Sequence, residues 1–160
     1  MSSELRVDKI VPVDGVPTGG GGGIVQVKQF TLTNTANGGF LMSTSSSSFT
    51  ATPLLLAITP KFSTSKILIN VNTSSYNGGS GHTAYTIYRD SQNIGGSTYG
   101  MADFTGSHNW RPFSMMFLDS PTTTSAVTYD VRVRVSGGSG TFYWAVSSTV
   151  CTITAMEVSA

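Results

Sequence analysis

An all-β fold, with an antiparallel jelly-roll or β-sandwich head behind an extended N-terminal arm, is predicted by three features of the sequence. Short runs alternate apolar with polar residues, clusters of Gly, Asn, Asp, Ser and Pro separate them, and no stretch of about ten residues carries a helical period. The chain has 160 residues, and domains usually hold ~100 to 150, so one globular domain is expected. Hydrophobic residues make up 39% of the chain, and many are Val, Ile, Tyr and Phe, which suit a β core.

The elements follow in order. From Leu5 to Val13 the apolar residues Leu5, Val7, Val11 and Val13 fall on alternate positions, although Lys9 interrupts the stripe. Pro12 withholds a backbone donor, so this segment suits an edge or an extended arm, not a central strand. Gly19 to Gly23 then form a flexible joint; no Lys-Ser/Thr follows, so the run does not read as a phosphate-cradling loop. Residues 1–23 are read as an attachment arm and residues 24–160 as the head.

Candidate strands of the head are Ile24 to Phe30, Leu54 to Pro60, Lys66 to Ser74, Thr83 to Asp90, Phe113 to Leu118, Val127 to Ser136, Thr141 to Val146 and Val150 to Val158. The plainest alternation sets Tyr129, Val131, Val133 and Val135 inward against Asp130, Arg132, Arg134 and Ser136. Turns are expected at Asn77-Gly78-Gly79, at Asp90 to Asn93, at Asp119-Ser120-Pro121 and at Gly137 to Gly140. Such a set matches a two-sheet sandwich or jelly roll.

Two segments break the alternation. Leu54 to Ile58 is continuously apolar, and the last strand has Cys151, Ile153 and Ala155 on one face but Val150, Met156 and Val158 on the other. A sandwich strand normally has one wet face, so a second apolar face calls for cover by another subunit or by a loop of the same chain. The first reading makes Ile153 and Ala155 the expected interface residues of an oligomer.

Charge and cysteine usage narrow the function. Only 11% of residues are charged and the formal net charge is +1, which disfavours nucleic acid and acidic membrane surfaces as partners. Cys151 is the only cysteine, so no intrachain disulfide or multi-thiolate zinc site is expected. The N-terminus lacks a basic segment leading into an apolar run, and Leu54 to Ile58 is far shorter than the ~20 residues that span a bilayer. The expectation is a chain that is neither exported through a signal peptide nor inserted into a membrane.

Several segments together resemble a family, the small fibre proteins of tailed bacteriophages, including phages of aquatic bacteria. They are Leu5 to Ile10, the Gly tract leading into Ile24-Val25-Gln26-Val27, Ile58-Thr59-Pro60, Ser65 to Ile69, Tyr85 to Asp90, Leu118 to Pro121, Tyr129, and Ile153 to Glu157. The resemblance covers nearly the whole chain. It implies a homotrimer of tumour-necrosis-factor-like jelly rolls on the surface of the virion, with the arm docked on another virion protein and the heads facing outward.

No reactive constellation emerges. His82 and His108 share no metal-ligand spacing with each other or with Asp103 and Asp119, so no metal or cofactor is expected. Ser63-Thr64-Ser65-Lys66 matches Ser-x-x-Lys, but that arrangement needs a helix start and here a strand begins. Cys151 in an apolar strand reads as a small buried side chain, and no carboxylate pair suits glycoside hydrolysis. An enzyme is not expected. The better lead is the connection from Ser91 to Trp110, long and rich in rings and amides, where Tyr99, Phe104, His108 and Asn109 are expected to touch a host-surface glycan or protein. Trp110, which leads into a strand, is expected to plug the end of the sandwich, and the Tyr76 to His82 loop to lie nearby. The expected role is a short tail fibre or spike; alternatives are a capsid decoration or head-fibre protein, or a free carbohydrate-binding module, which would have no need of an arm.

Overall fold

The structure, a computed structural model, describes residues 23–33, 39–106, 109–137, 140–146 and 149–159, with the side chains of Asn109 and Val146 excepted. The arm residues Leu5, Val7, Val11 and Val13, and His108, lie outside the described residues.

Eleven strands run in chain order: β1 (Ile24–Thr33), β2 (Phe40–Thr44), β3 (Thr50–Ile58), β4 (Lys66–Asn77), β5 (His82–Arg89), β6 (Gln92–Asn93), β7 (Ala102–Thr105), β8 (Asn109–Asp119), β9 (Val127–Ser136), β10 (Phe142–Val146) and β11 (Val150–Val158). They form two antiparallel sheets. Sheet A runs β1-β11-β4-β8, with the β10-β2 pair continuing from the Ser75–Asn77 end of β4 on the edge that β11 has left. Sheet B runs β3-β9-β5-β7, with β6 also on β5. Omitting the short β2, β6 and β10, the two orders are those of an antiparallel jelly roll.

The core lies between the sheets. Ile67, Ile69 and Val71 of β4 and Cys151, Ile153 and Ala155 of β11 meet Leu54, Ile58, Ile87, Tyr129, Val131 and Val133 from sheet B, all fully buried. Ile153 and Ala155 therefore pack inside their own chain. This corrects the expectation that they form an intersubunit contact: the outward side chains of β11 are Val150, Thr152, Thr154, Met156 and Val158. Pro53 sits in β3, which among the described residues pairs with β9 alone, and the ladder shifts register between Ala51 and Leu55, an edge position and an irregularity that both tolerate a proline.

The sandwich has two unlike ends. At one, here the base, Ile24 pairs with Val158 and Val158 with Lys66. The Gly23 and Ser159 backbones meet at 2.9 Å, so the chain enters the head beside the last strand. The Glu157 carboxylate is buried there and accepts from Gln26 Nε2 (2.6 Å) and the Lys61 and Phe62 amides (2.8 and 3.2 Å). Burial alone would raise its pKa, but these bonds outweigh it and hold the carboxyl below its ordinary value. Nearby, Asp119 accepts from Arg89 Nη1 at 2.8 Å and from the Tyr129 hydroxyl at 2.7 Å. Burial and that carboxylate push the Tyr129 phenol far up, so it stays a donor.

At the distal end, β4 turns into β5 through 78–81, and His82 pairs with both Ser136 and Thr105. The 12-residue β4 rises ~3.3 Å per residue, so the ends lie roughly 35–40 Å apart.

Candidate functional site

Three surfaces carry the side chains that sequence reasoning singled out. The first is the outer face of sheet B. The connection from Ser91 does not stand off the end of the sandwich as an open loop; it folds back across this face and ends in β7. Asn93 Oδ1 accepts from Thr86 Oγ1 (2.7 Å) and from the Gly95 amide (2.9 Å), while the Met101 amide donates to the Tyr85 carbonyl at 2.7 Å. Gly100 carries φ +64° and lies against that carbonyl, where a Cβ would collide, so glycine is required. Beneath this cover Thr86 is fully buried although it points away from the core. Arginines cover the remainder: Arg132 lies 3.9 Å from the Tyr88 ring centroid and pairs with Asp130 at 2.6 Å. Arg134 lies 5.1 Å from the Phe49 ring and also donates to the Thr98 carbonyl.

The second surface is the distal end. Tyr99 is 55% exposed, and its ring lies 5.9 Å from that of His82. His82 Nδ1 is 2.9 Å from Asp103 Oδ2 and 3.1 Å from Thr105 Oγ1. Asn77 Nδ2 donates to the Gly106 carbonyl at 2.9 Å, which places the 76–82 turn beside the end of β7, as expected. An exposed ring next to a carboxylate and an imidazole can stack on the apolar face of a sugar or side chain while accepting hydrogen bonds from its hydroxyls.

Phe104 leaves this set. It packs edge-on against Tyr85 at 5.5 Å and near Phe113 at 6.2 Å, with the Arg111 guanidinium 5.6 Å from its ring, so it closes the core. Asn109 begins β8 opposite Asn77. Sequence reasoning considered His82 and Asp103 only as metal ligands. Their juxtaposition comes from the β5-β7 pairing, and a four-residue strand leaves too short a period to read.

The third surface is the outer face of sheet A. Trp110 does not plug the sandwich: it is 59% exposed on this face, 4.7 Å from the Tyr76 ring and 6.1 Å from Phe40, which in turn lies 4.4 Å from Tyr143. Toward the base, Val27, Met156, Leu68 and Leu118 form one row across all four strands. Among the described residues no group of three or more His, Cys, Asp and Glu gathers to hold a metal.

No family model matches the chain, and neither does any curated protein. Among solved structures the chain is similar to the structure of infectious bursal disease virus Gx strain, with a TM-score of 0.32 and 14% identity over 86% of this chain and 37% of that one. The chain thus spans little more than a third of that structure's length. A superposition at this TM-score does not establish a shared fold.

Proposed function

We propose that this chain is a structural component of a virus particle, a short tail fibre or spike of a bacteriophage. In this reading its head assembles as a homotrimer, residues 1–23 dock on another virion protein, and the distal end meets a neutral glycan or a protein on the host surface. The observation that carries the reading is the polarity of the head. The chain enters at the base beside Ser159, and the exposed Tyr99, His82 and Asp103 cluster sits at the opposite end. A domain tethered at one end that presents a ring and a carboxylate at the other is arranged to be held and to touch. The fold supports a virion role, since jelly rolls recur in capsid and lectin domains, and so does the sequence resemblance to phage fibres.

The test compares particles carrying the full chain with particles supplied only with residues 24–160, followed by labelled electron microscopy and adsorption. The shortened head should stay folded and fail to join the particle. Label on the capsid shell instead of the tail would favour a decoration or head-fibre role, and incorporation without residues 1–23 would overturn the anchoring role.

A further inference from the structure

Inside the distal end the two sheets do not meet through apolar side chains alone. Ser75 and Asn77 of β4, Arg111 of β8, Thr83 and Tyr85 of β5 and Phe104 of β7 line a narrow crevice of about 10 Å³ between them. Thr83 is 1% exposed, and its Oγ1 is buried with no hydrogen-bond partner among the described residues. The polar groups around it have bonding capacity left over. Burial pushes the Tyr85 phenol far up from its ordinary range, so it keeps its proton and donates to Ser75 Oγ at 2.8 Å. The Ser75 hydroxyl in turn has no close acceptor: the Arg111 carbonyl lies 3.5 Å away, beyond the ~2.5–3.0 Å of a good O–H···O bond. Arg111 gives one donor to the Thr105 carbonyl at 3.2 Å, its guanidinium lies 5.6 Å from the Phe104 ring centroid, and among the described residues no carboxylate pairs with it.

We propose that this crevice is a binding site for one ordered water, which donates to Thr83 Oγ1 and accepts from Ser75 Oγ and the Arg111 guanidinium. A single buried water needs ~10–15 Å³ and typically makes about three hydrogen bonds, and the crevice offers that room and those three groups. A buried hydroxyl left without a partner is costly, and a bridging water supplies the bond that the neighbouring strands cannot reach. A free guanidinium also attracts anions. Arg111 is part-exposed, however, so solvent already meets its charge, and a volume that just admits water leaves no room for a bulkier ion. The water ties β4 and β8 of sheet A to β5 of sheet B one residue from His82, and so braces the distal end from inside. This assignment does not depend on what the head touches or on how many copies assemble.

High-resolution crystal structures of the full chain, parent and Thr83→Val, test this together with urea titrations at matched protein concentration. Valine keeps the shape of the side chain and removes only the hydroxyl. Density for one water bonded to Thr83 Oγ1 should appear in the parent and vanish in the variant, whose unfolding equilibrium constant should be ~fivefold higher. If the hydroxyl has no water, Thr83→Val removes an unpaired buried polar group and should be as stable as the parent or more so; that result would overturn the bond to Thr83. Parent density that is empty at the crevice, or a protein side chain found on Thr83 Oγ1, would overturn the site itself. Parent crystals soaked in bromide separate water from anion, since an anomalous peak between Thr83 and Arg111 would make this an anion site instead. Should Thr83→Val fail to fold, the parent density and the bromide soak decide between these outcomes.

Discussion

Over sheet B the chain supplies its own cover, and over sheet A none of the described residues does. On sheet B the 91–101 segment lies across Thr86 and is tied down through Asn93, Met101 and Thr98, while Arg132 and Arg134 lie over Tyr88 and Phe49. On sheet A the outward row from Val27 through Met156 and Leu68 to Leu118 has no segment of the described chain above it. The difference shows why burial cannot be inferred from residue type alone. Thr86 is polar and fully buried on an outward position, whereas Met116 is apolar and 67% exposed on another. Which face a chain leaves open is a stronger pointer to its partners than how apolar its strands are.

The comparison can be broken most severely from inside. Ile153→Asp places an unpaired charge in the chain's own core and should destabilise the head by about 4 kcal/mol or more, giving aggregation or loss of near-ultraviolet dichroism. A folded Ile153→Asp monomer would mean that β11 turns this residue outward, and the assignment of faces would reverse. Next in size, Gly100→Ala forces a strained positive φ and a clash with the Tyr85 carbonyl; a loss of about 2–3 kcal/mol is expected, with faster amide exchange confined to the cover of sheet B. Protection unchanged over 91–101 would show that the cover does not depend on this latch.

A third measurement concerns the base, where the two faces share a boundary. Glu157 has a folded pKa below its unfolded value, so its contribution is complete above the unfolded value of ~4.3 and is lost as pH falls through the folded one. Urea titrations should find Glu157→Gln weaker than the parent by about 2 kcal/mol at pH 7, with the gap closing in acid. A gap independent of pH would mean that the carboxylate charge is not what holds Gln26 and the 61–62 amides. Smallest in stability is Tyr99→Ala, within ~0.5 kcal/mol by thermal melting. If the distal end touches the host, the same variant should slow particle adsorption, and unchanged adsorption would remove Tyr99 from that role.

The strand positions that carry strong alternation were readable in advance. Tyr129, Val131, Val133 and Val135 point inward as their spacing requires, and Ile67, Ile69 and Val71 do the same. The orientation of β11 was not readable, because both of its faces are apolar. Thr152 and Thr154 mark the outward face, but the one charged residue misleads: Glu157 shares the inward face with Ile153 and Ala155, satisfied by donors from β1 and the 59–65 turn that no local pattern reveals. β7 was missed because Ala102, Asp103, Phe104 and Thr105 are too few to show a period, and with it went the pairing that brings Asp103 to His82. Trp110 was misplaced for a related reason: β8 begins at Asn109, ahead of Pro112, and that extension sets the indole outward on sheet A. A proline in an edge strand gives up only a donor that has no partner there.

The clasp between Gly23 and Ser159 also fixes how the head would carry load. Tension drawn through Gly23 while the distal end is held acts along β1 and shears it against β11, so the registered pairs from Ile24–Val158 to Thr33–Val150 resist together. Tension between Gly23 and Ser159, which emerge side by side, would open the same ladder one rung at a time. An optical-trap comparison of the two pulling geometries should therefore find the first markedly the stronger, although the equilibrium stability of the head is the same in both, since forced opening is governed by the barrier along the direction of pull.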